Sequence, residues 1–89
     1  MRVIVETSSG LAKYVLNDDI NISATATEIT VSETVDDEDI VRFVVADLNS
    51  ATVTITDNVT NVPADYTGNK YTFDGTAWTL NPNWVDLNA

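Results

Sequence analysis

The chain contains no cysteine and no histidine, and these two absences exclude several kinds of chemistry. Without cysteine it has neither a disulfide framework nor a thiolate metal site. Without histidine it lacks the commonest general base and the commonest transition-metal ligand. A serine or threonine nucleophile would need Lys13 or Lys70 to activate it, and neither lysine lies in a recognisable motif. The composition therefore predicts a protein that is not an enzyme and needs no cofactor.

Basic residues are scarce as well. The sequence has 4 Lys and Arg against 14 Asp and Glu, which gives a net charge of −10. Such a negative field argues against nucleic acid and anionic membranes as partners. It favours basic partners or divalent cations. A DNA-mimicking inhibitor is one alternative, but it needs carboxylates spread at phosphate-like spacing, and here the acids cluster in turns.

Long apolar runs are also missing. No stretch approaches the ~20 residues of a membrane span, and residues 1–6 lack the features of a signal peptide. We expect one domain over residues 1–89, made in the cytoplasm of the cell that produces it.

With only 3 glycines and 2 prolines, the turns fall mainly to Asn, Asp and Ser clusters. Val, Ile and Thr make up 31 of the 89 residues, and their branched side chains favour strands. No segment keeps a helical period. About seven to eight short strands at regular spacing predict an all-β fold, a small antiparallel β-sandwich or barrel. The strands before the C-terminal hairpin are expected near 2–7, 11–16, 20–24, 28–32, 40–46 and 51–56. In 51–56 the strict alternation turns Val53 and Ile55 inward. The longer connection 57–69 is expected to be fixed to the surface by its apolar residues, including Val62 and Tyr66, and a turn is expected at Asn81-Pro82.

A C-terminal hairpin is predicted at Asp74-Gly75, because Asp-Gly suits the positive φ angles of a two-residue type I′ turn. That turn would place Phe73 opposite Thr76 and Tyr71 opposite Trp78. Strand alternation then gives one apolar face, made of Tyr71, Phe73, Trp78 and Leu80.

The acidic run Asp36, Asp37, Glu38 and Asp39 is predicted to be an exposed loop, because adjacent carboxylates repel one another. Its four residues are the candidate metal ligands, since calcium takes six to eight oxygens. Calcium loops usually place ligands at alternate positions and use Gly or Asn to fold back. This run does neither, which favours a solvated loop.

Both ends of the chain are apolar. The continuous run Val3-Ile4-Val5 indicates either burial on both faces or contact with a neighbouring subunit. Residues 81–89 are interpreted as a docking tail. The candidate docking residues are Val3, Ile4, Val5, Tyr66, Trp84, Val85 and Leu87.

The aromatic residues also allow a carbohydrate-binding interpretation, because exposed rings stack on sugar faces while Asn and Asp bind hydroxyls. The rings concerned are Tyr66, Tyr71, Phe73, Trp78 and Trp84. Core packing and a subunit contact are the competing explanation.

The stretches 3–16 and 44–49, and the segment 68–78 with its pattern of aromatic, Asp-Gly-Thr, one residue and Trp, resemble a family of small virion-associated proteins. That family is encoded by tailed bacteriophages of marine bacteria, notably cyanophages. The resemblance implies a structural component of the virion, either a capsid decoration protein or an accessory piece of the neck or tail. It implies phage structural proteins and further copies of the chain as partners.

Overall fold

The structure is a computed structural model that describes residues 1–84. The predicted docking residues Val85 and Leu87 lie outside the described residues. The described part is all-β, as predicted, and contains no helix that could span a membrane. Its strands are β1 (Arg2–Glu6), β2 (Ala12–Leu16), β3 (Asn21–Ala24), β4 (Ile29–Val35), β5 (Glu38–Val45), β6 (Val53–Thr56), β7 (Tyr71–Phe73) and β8 (Trp78–Leu80).

The strands form three antiparallel sheets, with the orders β2-β1-β6, β3-β4-β5 and β7-β8. The first two sheets pack face to face as a sandwich. Between them lies a core of Ile4, Ile29, Val31 and Leu48, to which β6 adds Val53 and Ile55 from its inward face. The strict alternation of 51–56 predicted this inward face.

A second core lies on the other side of β1 and is covered by the β7–β8 hairpin and the connection 57–69. Its buried members are Val3, Val5, Ala12, Val59 and Phe73. The partly buried Val62 and Tyr66 pack against this core, as expected for residues that fix the long connection to the surface.

Strand β1 is therefore buried on both faces, with Ile4 in one core and Val3 and Val5 in the other. Its exposed fractions are 0% for Val3 and Ile4 and 7% for Val5. Both edges of β1 are also paired, to β2 and to β6. This arrangement corrects the docking interpretation of the Val3-Ile4-Val5 run, because no free surface or edge is left through which it could reach another subunit.

The C-terminal hairpin forms, but the predicted register is wrong. Phe73 pairs with Trp78 and Tyr71 with Leu80, so residues 74–77 form a four-residue connection. The Asp74 carboxylate explains the longer loop, because its Oδ1 accepts the N–H of Thr76 at 2.8 Å and of Ala77 at 2.7 Å. Relative to the predicted pairing, each residue of β7 has a partner two positions further along the chain. Because this shift is an even number of residues, every side chain stays on its predicted face.

A two-residue turn with positive φ at both positions occurs instead at Asp36-Asp37, where φ is 51° and 65°. Val35 pairs directly with Glu38 across it. The acidic run is therefore only partly a loop, since Glu38 and Asp39 begin β5. The carboxylates tolerate this because all four residues are exposed to solvent.

Candidate interaction surface

Among residues 1–84, the outer edge of β5 combines an unpaired strand edge with exposed apolar side chains, which makes it the candidate interaction surface. β5 pairs with β4 alone and stands at the edge of its sheet. Its apolar side chains are nevertheless exposed, by 37% for Ile40, 56% for Val41 and 49% for Val44. An apolar strand with a free row of backbone N–H and C=O groups is a ready template for another strand.

A shallow groove runs beside this edge, where β2 and β5 lie on the same open side of the sandwich. Tyr14 and Leu16 of β2 line it together with residues 43–47. The rings of Tyr14 and Phe43, with centroids 5.3 Å apart, both line the groove. A strand added to β5 would thus have apolar side chains beneath it as well as a free backbone edge beside it.

The far end of β4 and β5 projects as a two-stranded arm, which we define as residues 33–40. β3 pairs only with residues 29–32 of β4, so the arm has no third strand. Three side-chain contacts brace it. Asn21 Nδ2 of β3 donates to Thr34 Oγ1 at 3.0 Å. Arg42 donates to Glu33 Oε2 at 2.9 Å through Nε, and Thr34 Oγ1 donates to Asp39 Oδ1 at 2.8 Å.

The arm ends in the carboxylates of Asp36, Asp37, Glu38 and Asp39. The four candidate metal ligands do not come together there, because residues 1–84 contain no group of three His, Cys, Asp or Glu side chains that could hold a metal ion. Consecutive residues of a strand point to opposite faces, which separates the carboxylates of Glu38 and Asp39. The acidic end is instead an exposed negative patch beside the apolar edge of β5.

Within residues 1–84, no basic side chain forms an ion pair with the acidic run 36–39. The chain has 4 Lys and Arg residues, and each forms an ion pair with a carboxylate outside the acidic run. The pairs are Arg2–Asp57 at 2.6 Å, Lys13–Glu6 at 3.9 Å, Arg42–Glu33 at 2.8 Å and Lys70–Asp65 at 2.9 Å. Among residues 1–84, the four carboxylates at the end of the arm thus take part in none of these ion pairs, although Arg42 pairs with Glu33 at the base of the arm.

Tyr66, which the sequence suggested for docking or sugar binding, faces inward. Its hydroxyl donates to the carbonyl of Ala12 at 2.8 Å. Its ring meets Trp78 edge-on at 5.9 Å. Burial, with a smaller effect of Tyr14, raises the pKa of Tyr66 to about 12. Tyr66 therefore joins the long connection to the second core, and we no longer expect it to dock a partner.

Three of the other candidate sugar-binding rings also pack against one another. Phe73 stacks on Trp78 at 4.3 Å between centroids, and Tyr71 meets Trp78 edge-on at 6.3 Å. Trp78 Nε1 donates to Asn61 Oδ1 at 3.2 Å. This geometry agrees with the predicted apolar face of the hairpin, although Leu80 remains 54% exposed.

A small polar cluster surrounds Asp65 on the surface. Its carboxylate accepts hydrogen bonds from the Lys70 ammonium at 2.9 Å and from the Tyr71 hydroxyl at 2.7 Å. The hydrogen bond from Lys70, and then that from Tyr71, lowers the pKa of Asp65. The same bond to Asp65 raises the pKa of Tyr71. The cluster lies on the exposed surface, where it joins the connection 57–69 to the hairpin.

Trp84 is the last described residue and is half-buried. Its backbone N–H donates to the carbonyl of Asn81 at 3.0 Å, which closes the turn that the Asn-Pro dipeptide predicted.

No protein-family model, curated protein or solved structure matches this chain. The sequence did not indicate the edge of β5 as an interaction surface, because an apolar stretch such as residues 40–46 is typical of a buried strand. Edge strands are commonly marked by charged residues, lysine above all, or by proline, and Arg42 is the single residue of this kind in the stretch.

Proposed function

We propose that this chain is a non-enzymatic structural or accessory protein of a bacteriophage virion, which assembles by pairing β5 with a strand of another polypeptide. One observation carries the proposal: the apolar strand β5 stands with a free edge on the open side of the sandwich. Strand addition uses such an edge, with backbone hydrogen bonds for affinity and side-chain pockets for specificity. The virion context comes from the sequence resemblance.

The length and composition of β5 favour pairing with an added strand over an edge that stays unpaired in a monomer. Monomeric proteins protect their edges with short strands, charged side chains (lysine above all), proline or bulges. β5 is the longest described strand, with 8 residues. Its protection consists of one bulge at Arg42 and the charges of Glu38, Asp39 and Arg42. Residues 43–45, which carry no charge and no bulge, form the part of the edge open to an added strand.

The virion assignment is tested on particles of the phage whose genome encodes the chain. After density-gradient purification and a high-salt wash, mass spectrometry should find the chain in a fixed ratio to the shell protein. Absence from the washed particles would refute the virion location.

The role of β5 is tested by a matched pair of lysine substitutions. Ser23, Thr30 and Val44 form one row across the sheet, so Val44→Lys and Ser23→Lys add the same charge at its two opposite edges. Val44→Lys should weaken co-sedimentation with particles by about tenfold or more, or about 1.4 kcal/mol. Ser23→Lys should bind like the unaltered protein. Both variants should keep their unfolding free energy within about 0.5 kcal/mol, because both sites are on the surface. Equal retention of the two variants would remove β5 from the interface.

Carbohydrate binding gains less support from the structure. The inward-facing Tyr66 and the mutual packing of Phe73, Tyr71 and Trp78 use the ring surfaces that a sugar would need. DNA mimicry likewise gains little, because several carboxylates are occupied in ion pairs with the chain's own bases.

A further inference from the structure

Resting on the proposed strand pairing, we infer that the segment that docks on β5 is cationic: an extended stretch in which apolar residues alternate with lysine or arginine. Its basic residues lie at the end that meets the acidic tip of the arm. Two independent features of the surface specify this chemistry, namely the apolar groove and the uncompensated charge.

The groove explains why apolar residues should alternate with other residues in the docking segment. Side chains of an added strand would point by turns toward the groove and toward the outer face of the sheet. On the groove side they would meet Tyr14, Leu16 and Phe43, which demand apolar residues. On the outer face the nearest neighbours on β5 are Val44, Val41 and Asp39, which share the face of Thr30, Ser32 and Thr34. Every second residue of the partner is therefore apolar, and the others are free to be charged.

The arm specifies the sign of that charge. Glu38 and Asp39 occupy successive positions of β5, so each face of the sheet presents one carboxylate at this end. All four bases of the chain are paired with other carboxylates. A basic residue opposite Glu38 or Asp39 would form a cross-strand pair of opposite charge, whereas an acidic residue there would be destabilising.

A second copy of this chain fits the edge less well. It would bring another net charge of −10 to the contact. In a parallel pairing of two β5 strands, acidic end would meet acidic end. In a fully overlapping antiparallel pairing, the acidic end of each would approach the 45–47 end of the other, which offers Asp47 and no base. A shifted register could bring Arg42 near Asp39, but Arg42 is already paired with Glu33 of its own chain. Charge complementarity therefore favours a different, basic polypeptide.

The test uses three synthetic peptides of the same length as β5, which has 8 residues. They alternate valine with lysine, with glutamine or with glutamate. Binding is followed by NMR titration of the backbone amides, which reports both the affinity and the strand that is contacted. At low salt the lysine peptide should bind about fivefold or more tightly than the glutamine peptide and shift the β5 amides. This preference should fade by about 0.5 M NaCl, where charges are screened within a few ångströms.

A pair of charge-matched variants locates the effect. Glu38→Gln/Asp39→Asn should lose the preference for lysine while still binding the glutamine peptide on β5. Asp19→Asn/Asp74→Asn removes the same amount of charge at exposed turns outside sheet β3-β4-β5 and should keep the preference. Both variants retain acceptor oxygens, and their NMR spectra would show whether the fold is intact.

The outcomes separate this inference from the function on which it rests. Equal binding of the lysine and glutamine peptides on β5 would overturn the cationic partner and leave strand pairing intact. Equal loss of preference in both variants would reduce the effect to general charge attraction and overturn the inference. Amide shifts of β5 that grow with protein concentration alone would assign the edge to a second copy instead. If no peptide moves the β5 amides, both the inference and the strand-pairing proposal fail.

Discussion

Tyr66 shows how a single residue fixes a loop that has no regular structure. Its hydroxyl donates a hydrogen bond to the carbonyl of Ala12, and the same carbonyl also accepts one from the N–H of Asn69 at 3.2 Å. Tyr66→Phe should therefore cost only about 0.5–1.5 kcal/mol of unfolding free energy, since the carbonyl keeps one donor. Tyr66→Ala should cost about 3 kcal/mol or more, because the ring contact with Trp78 is lost too. Urea denaturation measures both variants. A similar cost for the two would mean that the ring contributes nothing.

The pH dependence of stability at high pH follows from the same side chain. The pKa of Tyr66 is raised from 10.0 to about 12 in the folded chain, so folding favours the protonated phenol. That contribution is complete below pH 10 and is lost as the pH rises toward 12. Absorbance titration of tyrosinate should show Tyr66 ionising near pH 12. Tyr66→Phe should remove that step, whereas Tyr71→Phe, which removes the other tyrosine with a raised pKa, should leave it. A step near pH 12 that is as large in Tyr66→Phe as in the unaltered chain would contradict this assignment.

At the scale of elements, β1 and the arm are opposite extremes. β1 is paired on both edges and buried on both faces, whereas residues 33–40 have one partner strand and little cover. Amide hydrogen exchange should therefore be slowest in β1 and fastest, among strand residues, in the arm. Exchange followed by NMR would measure this order. Protection of the arm equal to that of β1 would show that the arm is covered in solution.

The elements also show what a sequence can and cannot specify. The alternation in 51–56 predicted the inward face of β6, and the apolar run in β1 allowed burial on both faces, because both patterns follow from local side-chain geometry. The hairpin register was wrong because the Asp74 carboxylate captures two backbone N–H groups, a choice that Asp-Gly alone does not decide. The edge position of β5 depends on strand order, and strand order arises from contacts between distant segments.

For the whole molecule, the dominant long-range force is repulsion among carboxylates. The net charge is −10, while the five described ion pairs involve surface groups, each worth about 0–1 kcal/mol. Salt screens both effects, but the excess of like charge outweighs the few pairs. Sodium chloride at about 0.5 M should therefore raise the melting temperature at pH 7, and each 1 kcal/mol gained corresponds to about 4–8 °C in a domain of this size.

Thermal unfolding at several salt concentrations checks this prediction, and Glu38→Gln/Asp39→Asn supplies the control. With two fewer carboxylates at the end of the arm, this variant has less repulsion to screen, so its melting temperature should rise less with salt than that of the unaltered chain. A melting temperature that falls as salt is added would mean that the ion pairs outweigh the repulsion. The carboxylates at the end of the arm would then not destabilise the free chain, and a cationic partner would not stabilise the fold by relieving repulsion among them. Any preference for such a partner would have to come from direct contacts at Glu38 and Asp39.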